Sequence, residues 1–361
     1  MKIKLYDVIG IKSGMNFYLE AFYRLLDEND IQAEIISNFS HDNRKQQLPN
    51  IFEKSRVKKI VNLLRCYFKL ISSMLRLKKD EYIVILVYGV VLDIPLFLLA
   101  KLSKRVILDI HEIMALDYKN PTLRKILHYL YRTCPNKVIS HSEKTSNTLS
   151  QLSLKSQILV VPLFNYYIDV NYDMKNIGKD IIDAFNDNAT YFLCFGNIRP
   201  SKGIFDLLAA THLVKDKNIK IIVAGQDIFN KMDEYAATYG ISDNVTLILK
   251  FINDDEMKFL FTKSQMTLLP YENISQSAVL ESAVNFRIPL LTSDIVYFKT
   301  ILSEFPSFGV CTNTKDPEVF ANSIDHFAKE DLKREFYSKA DVEKYRQKDK
   351  FDAFVKELKA L

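Results

Sequence analysis

Arg199 and Lys202 stand three positions apart in Asn197–Gly203, directly after the apolar run Tyr191–Phe195. A strand followed by such a loop carries two cations to the strand's C-terminal end. There they could neutralise the two negative charges of a departing diphosphate, as a magnesium ion does elsewhere. About seventy residues on, the run Leu268–Val284 reads LLPYENISQSAVLESAV. Its pattern predicts a strand ending at Pro270, a polar loop, and a helix beginning near Ser277. A helix N-terminus offers free N–H groups and a positive dipole end, which suit phosphate. Glu281, one turn in, could accept both hydroxyls of a ribose diol. Each feature also has an ordinary explanation as a charged turn, an N-cap serine or a first-turn acid. Nearer the N-terminus, His111 follows the apolar run Val106–Ile110, with Asp109 and Glu112 beside it.

These residues need strand ends to hold them, and the chain alternates strand-like and helix-like segments almost throughout. Strands are expected at Lys2–Ile9, Ala33–Ile36, Tyr82–Tyr88, Arg105–Ile110, Lys137–Ser140 and Gln157–Val161. Helices lie between them, and the pattern is that of a doubly wound parallel α/β domain. It restarts with strands at Tyr191–Phe195, Ile219–Ala224, Val245–Ile248, Met266–Pro270 and Pro289–Thr292, and a helical region follows from Pro317. Ile83–Ala100 is apolar enough to suggest a membrane span, but Gly89, Asp93 and Pro95 interrupt it. It reads better as a buried strand followed by a helix over Ile94–Leu102.

The strand–Gly–x–x–Arg–x–x–Lys–Gly run, the later Pro–Tyr loop and the Ser-rich turn into a Glu-bearing helix together resemble the family-4 (group 1) retaining glycosyltransferases of GT-B fold. VAGQD (Val223–Asp227), NVTLILKFINDDEM (Asn244–Met257) and RIPLLTSD (Arg287–Asp294) extend the likeness. It implies two Rossmann-like domains facing a cleft: 1–165 on the acceptor side and 190–335 for the nucleotide sugar. A linker, 166–189, joins them, and a helical tail, 336–361, returns to the first domain. It also implies that Arg199 and Lys202 bind the diphosphate and Glu281 the ribose. Ser275, Gln276, Ser277 and Ala278 would meet phosphate and donor sugar, and the nucleobase would pack near Lys250, Phe251 and Ile252. His111 would contact the donor sugar. The loop containing Gly14 would lie near donor phosphate and acceptor. Ser142, in a strand-then-Ser run, is expected as an N-cap. Two positions depart from the family. Asn273 stands where the first of two paired glutamates is usual, with Glu272 one residue off, and Ala278 replaces a common glycine. The Ser–Gln–Ser turn matches a Ser/Thr-Gln-Ser subset.

The implied reaction is retaining sugar transfer from a nucleoside diphosphate to a glycan or lipid-linked acceptor in cell-surface polysaccharide synthesis, with no metal or other cofactor. Alternatives are a nucleotide-sugar epimerase and a non-catalytic sugar-nucleotide-binding subunit. Composition agrees with a globular chain: 361 residues, 48% hydrophobic and 26% charged. Four scattered cysteines and six histidines without ligand spacing argue against zinc and fit a reducing compartment. With no signal-peptide pattern, a cytoplasmic location is expected. No Walker loop, His-Glu-x-x-His or Gly-x-Ser-x-Gly is present. The net charge of +5 is uneven: residues 1–165 hold 25 Lys/Arg against 15 Asp/Glu. Within them, 44–79 carries 11 basic residues and one acidic residue, interleaved with Ile60, Leu64, Phe68 and Leu75. A basic amphipathic helix there suits an anionic membrane surface, on the inner face of the cell membrane. It equally suits packing on its own domain. No nucleic-acid motif accompanies the charge.

Overall fold

The computed structural model describes residues 1–10, 15–39, 46–88, 93–111, 113, 121–152, 156–185, 188–227, 230–274, 276–329 and 336–361. The chain forms two compact units, one of 1–166 with 348–361 and one of 167–347.

The first unit is built on six parallel strands: β1 (Lys2–Tyr6), β2 (Gln32–Ile36), β3 (Glu81–Val87), β4 (Val106–Ile110), β5 (Lys137–Ser140) and β6 (Gln157–Val160), in the order β2-β1-β3-β4-β5-β6. Buried β-branched and leucine side chains on β3 and β4 explain their continuous apolar runs, since a parallel sheet is covered on both faces. The helices are α1 (Asn16–Glu28), α2 (Arg56–Leu75), α3 (Ile94–Leu102), α4 (Pro121–Thr133) and α5 (Glu143–Leu152). Phe97, on α3, and Tyr131, on α4, pack edge to face at 4.6 Å. The apolar stretch after Ile83 is thus β3 and α3, and among the described residues no helix is long and apolar enough to cross a membrane.

The second unit opens with a strap, 167–185, containing the short helix α6 (Lys179–Asp183). Its strands are β7 (Thr190–Phe195), β8 (Ile219–Ala224), β9 (Val245–Ile248), β10 (Met266–Leu269), β11 (Leu290–Ser293) and β12 (Gly309–Thr312), in the order β12-β11-β10-β7-β8-β9. Its longer helices are α7 (Ile204–Thr211), α8 (Met232–Tyr239), α9 (Asp254–Lys263), α10 (Ala278–Phe286), α11 (Val296–Glu304), α12 (Pro317–Lys329) and α13 (Lys339–Tyr345). Both α11 and β12 are additions to the sequence expectation. The strand GVCT is only four residues long, begins at a glycine and lies at the sheet edge, so it carries little periodic signal.

The segment read as a linker is fastened to the second unit. The Ile168 N–H donates to Asn285 Oδ1, and Asn285 returns a bond to the Ile168 carbonyl. Asn253 caps α9 in a reciprocal capping box with Glu256. The same Glu256 accepts from the Gly178 N–H and from Lys250, which also pairs with Asp180. The C-terminal helical region is likewise divided. Its α13 belongs to the second unit, while α14 (Asp352–Lys359) lies in the first, with Phe354 against Phe22 and Phe164.

Candidate functional site

Counted within its own unit, the second sheet runs 3-2-1-4-5-6, and its order reverses between β7 and β10. Crevices at such switch points, beyond the C-terminal strand ends, are where open α/β sheets bind ligands. Both phosphate-binding candidates sit there. Arg199 precedes a turn of 3-10 helix, Pro200–Lys202, after β7. Ser277 caps α10 after β10, its hydroxyl accepting from the Leu280 N–H at 3.1 Å. The two loops touch: the Glu272 N–H donates to the Ser201 carbonyl at 2.9 Å, and the Lys202 ammonium lies 5.3 Å from the centre of the Tyr271 ring.

Glycine makes this contact possible. Gly203 has φ +63°, and a Cβ there would lie 1.8 Å from the Pro270 carbonyl oxygen. Gly196 has φ +100°, and its Cβ would meet Lys202 Nζ at 2.7 Å and Val279 Cγ2 at 3.5 Å. Lys202 is thus folded back over the end of β7, toward the first turn of α10. Burial pushes the Cys194 thiol up to about 12, while the neighbouring Lys202 ammonium pulls it the other way.

Glu281 is buried one turn into α10, and its Oε1 accepts a hydrogen bond from the Tyr345 hydroxyl. Gln276 and Ala278 are half-buried beside Ser277, and Asn273 is exposed. Glu272 is exposed, and its carboxylate pairs with Lys315, which also holds Asp206 at 2.8 Å. Phe251 and Ile252 are half-buried in the turn between β9 and α9. Lys250 is occupied in the ion pairs that hold the strap. Gly14 and Ser275 lie outside the described residues.

The first unit gathers its polar side chains at the C-terminal ends of β1, β3, β4 and β5, and its own order reversal falls between β1 and β3. Asp109 is fully buried there. Its Oδ1 lies 2.7 Å from His141 Nε2 and 3.5 Å from His111 Nε2, and Oδ2 accepts from the Tyr18 hydroxyl at 2.6 Å. Burial alone would raise this carboxyl, but the two imidazoles hold it well below the usual carboxylate range. His141 Nδ1 is 3.2 Å from the Val161 carbonyl. The His111 ring stacks on His141 with centroids 4.7 Å apart and meets Tyr18 edge-on at 4.6 Å. Ser142 caps α5 as expected, accepting from the Thr145 N–H.

His141 and Tyr18 were not marked by the sequence. Their signal, a His in the turn after β5 and a Tyr on the first helix, becomes readable only once strand order is known. The donor atoms of Asp109, His111 and His141 also converge within 4.8 Å, close enough to suit a metal ion. Asp109 and His141 hydrogen-bond to one another and to Tyr18, while His111 Nε2 stands 3.5 Å from Asp109 Oδ1.

Residues 179–344 match the family model for glycosyl transferases group 1. No curated protein matches the chain in sequence. Among solved structures, sucrose-phosphate synthase from Thermosynechococcus elongatus superposes with a TM-score of 0.69 at 14% identity, covering 100% of this chain and 98% of its own. The Anabaena protein HepE, in complex with UDP and glucose, gives 0.64 at 15% identity and covers 100% of both chains. WaaG, a glycosyltransferase involved in lipopolysaccharide biosynthesis, gives 0.62 at 13% identity, covering 100% of this chain and 99% of its own. The two six-stranded parallel units are those of the GT-B fold. Residues 179–344 form a glycosyl transferases group 1 domain, and the chain that carries it is a glycosyltransferase.

Proposed function

We propose that this enzyme moves a sugar from a nucleoside-diphosphate donor to a glycan or lipid-linked acceptor, with retention of configuration and without a metal ion. The observation that carries the reading is the contact of two loops at the β7–β10 switch point. It sets Arg199, Lys202 and the N-terminus of α10 within one small region of the second unit. Two fixed cations and a helix dipole stabilise charge as it develops on a leaving diphosphate, and cost no reorganisation during reaction. The HepE structures contain UDP and UDP-glucose, which favours a nucleotide sugar here. In this reading Glu281 takes the ribose and His111, held beside Asp109, contacts the donor sugar. The leaving phosphate accepts the acceptor's proton as the acceptor attacks from the same face.

A membrane-borne acceptor in cell-surface polysaccharide synthesis fits the first unit. Lys58 and Arg65 on α2 and Arg76 at its C-cap are exposed in one row, with Lys69 between them bonded to the Gln47 carbonyl, and beside the row runs an exposed apolar stripe. Such a surface matches anionic lipid headgroups and the acyl boundary below them.

The test is a thermal-shift screen against UDP, GDP, ADP and CMP in EDTA, repeated with Arg199→Ala and Glu281→Ala. Selective stabilisation by one nucleoside diphosphate, lost in both variants, is the expected result. Stabilisation by none of the four would remove the nucleotide-sugar reading and favour a non-catalytic role.

A further inference from the structure

The carboxylate of Glu281 is enclosed by tyrosines. Tyr345, the last residue of α13, donates its hydroxyl to Glu281 Oε1. Tyr297, on α11, and Tyr337, just before α13, lie close enough for the Glu281 charge to raise their phenols, adding to the larger effect of burial. Tyr337 has a different hydrogen-bond partner, the Ile288 carbonyl at 2.8 Å. Tyr297 lies near the Ser277 backbone. Tyr345 bonds the carboxylate directly.

The Tyr345 ring is clamped. It meets Phe305 edge-on at 5.0 Å and Phe308 at 5.2 Å, and it is buried. A fixed phenol that donates to one oxygen of a carboxylate sets the plane of that carboxylate. An acceptor held in this way spends less conformational entropy when a ligand hydroxyl arrives.

We infer that Tyr345 is a positioning residue for ribose recognition: it fixes the Glu281 carboxylate in the orientation that receives the ribose diol. The inference rests on the proposed reading of Glu281. It places a determinant of nucleotide affinity in the twelve residues that end the second unit, 336–347, beyond the motifs that suggested the site. Two residues after Tyr345 the chain leaves this unit.

The experiment compares UDP with 2′-deoxy-UDP by calorimetry on the full chain, or the corresponding pair for whichever base the screen selects. Wild type is expected to favour the ribose form by tenfold or more. Tyr345→Phe keeps the ring on Phe305 and Phe308 and removes only the hydroxyl. It is expected to weaken UDP about fivefold, leave 2′-deoxy-UDP within twofold, and so reduce the preference. A merely structural tyrosine would weaken both ligands equally, and that result overturns the inference. Unchanged UDP binding in Tyr345→Phe also overturns it, provided Glu281→Gln loses the ribose preference. If Glu281→Gln itself keeps the preference, the reading of Glu281 fails and the inference falls with it. Tyr337→Phe is the control: it removes a phenol bonded to the Ile288 carbonyl and is expected to leave the ribose preference intact.

Discussion

Asp7, immediately after β1, is a fully buried carboxyl. Its Oδ1 accepts from the Ile9 and Gly10 N–H groups at 3.0 and 2.9 Å. Burial nevertheless raises it from 3.8 to about 6, with Gly10, Tyr88 and Ile9 only partly offsetting the rise. Because the folded value exceeds the unfolded one, the native state binds more protons between pH 4 and 6. Stability should therefore fall as pH rises through that window, by about 2–3 kcal/mol once Asp7 is fully ionised. Asp7→Asn keeps an oxygen for the two N–H groups and should remove the slope, giving a more stable protein at pH 7.5. Urea melts from pH 4 to 8 check this, and an unchanged slope in the variant would refute it. At Gly196, Ala would force Lys202 away from the β7 end. Weaker nucleoside-diphosphate binding is expected, by tenfold or more, with a smaller loss of stability. Spacing made Arg199, Lys202, Ser277 and Glu281 legible, because strand end, loop and helix start are local features. Asp7, Tyr18 and His141 were illegible, because each acquires its meaning from burial against residues distant in the chain.

The helix α2 shows where element-scale reading stops. Its basic, amphipathic character is plain in the sequence, and two uses of the apolar face stood open. The structure shows that the helix has two apolar faces. Cys66 and Leu70 are buried, with Leu63, Tyr67 and Met74 packed beside them on the core of the first unit. At about 100° per residue, Val57, Ile60, Val61, Leu64, Phe68, Ile71 and Leu75 fall on a second stripe, and all are exposed, Phe68 by 77% and Leu75 by 83%. A helix that served only its own core would not need the second stripe. Replacing Leu64 and Phe68 together by Asp should abolish sedimentation with phosphatidylglycerol vesicles. It should change stability by less than about 0.5 kcal/mol, since both side chains already face solvent. Wild-type binding should also weaken as salt rises, because the lysine and arginine contribution is screened. Equal sedimentation of wild type and the double variant would separate this helix from any membrane role.

At the scale of the whole molecule, each unit sets its candidate residues at the C-terminal ends of a parallel sheet, at the point where strand order reverses. The alternation of strands and helices made both sheets readable, but it could not say which distant segment completes each unit. The first unit is closed by 348–361. Phe351, Phe354, Val355 and Leu358 are buried there, Phe351 and Phe354 against Phe164. Lys350 donates to Asn165 Oδ1 at 2.7 Å, and Lys348 pairs with Glu28. Each buried apolar side chain contributes about 1.5–3 kcal/mol, so the four together approach the whole stability of a typical domain. Truncation after Gln347 should therefore unfold the first unit while leaving the sheet of the second intact. In limited proteolysis, residues 1–166 should be digested and a fragment close to 167–347 should persist. The nucleoside diphosphate that stabilises the full chain should still protect that fragment, because Arg199, Lys202, Ser277, Glu281 and Tyr345 all lie within it. Loss of both units together would mean that the second cannot stand without the first. Survival of both would mean that the aromatic cluster round Phe164 is dispensable.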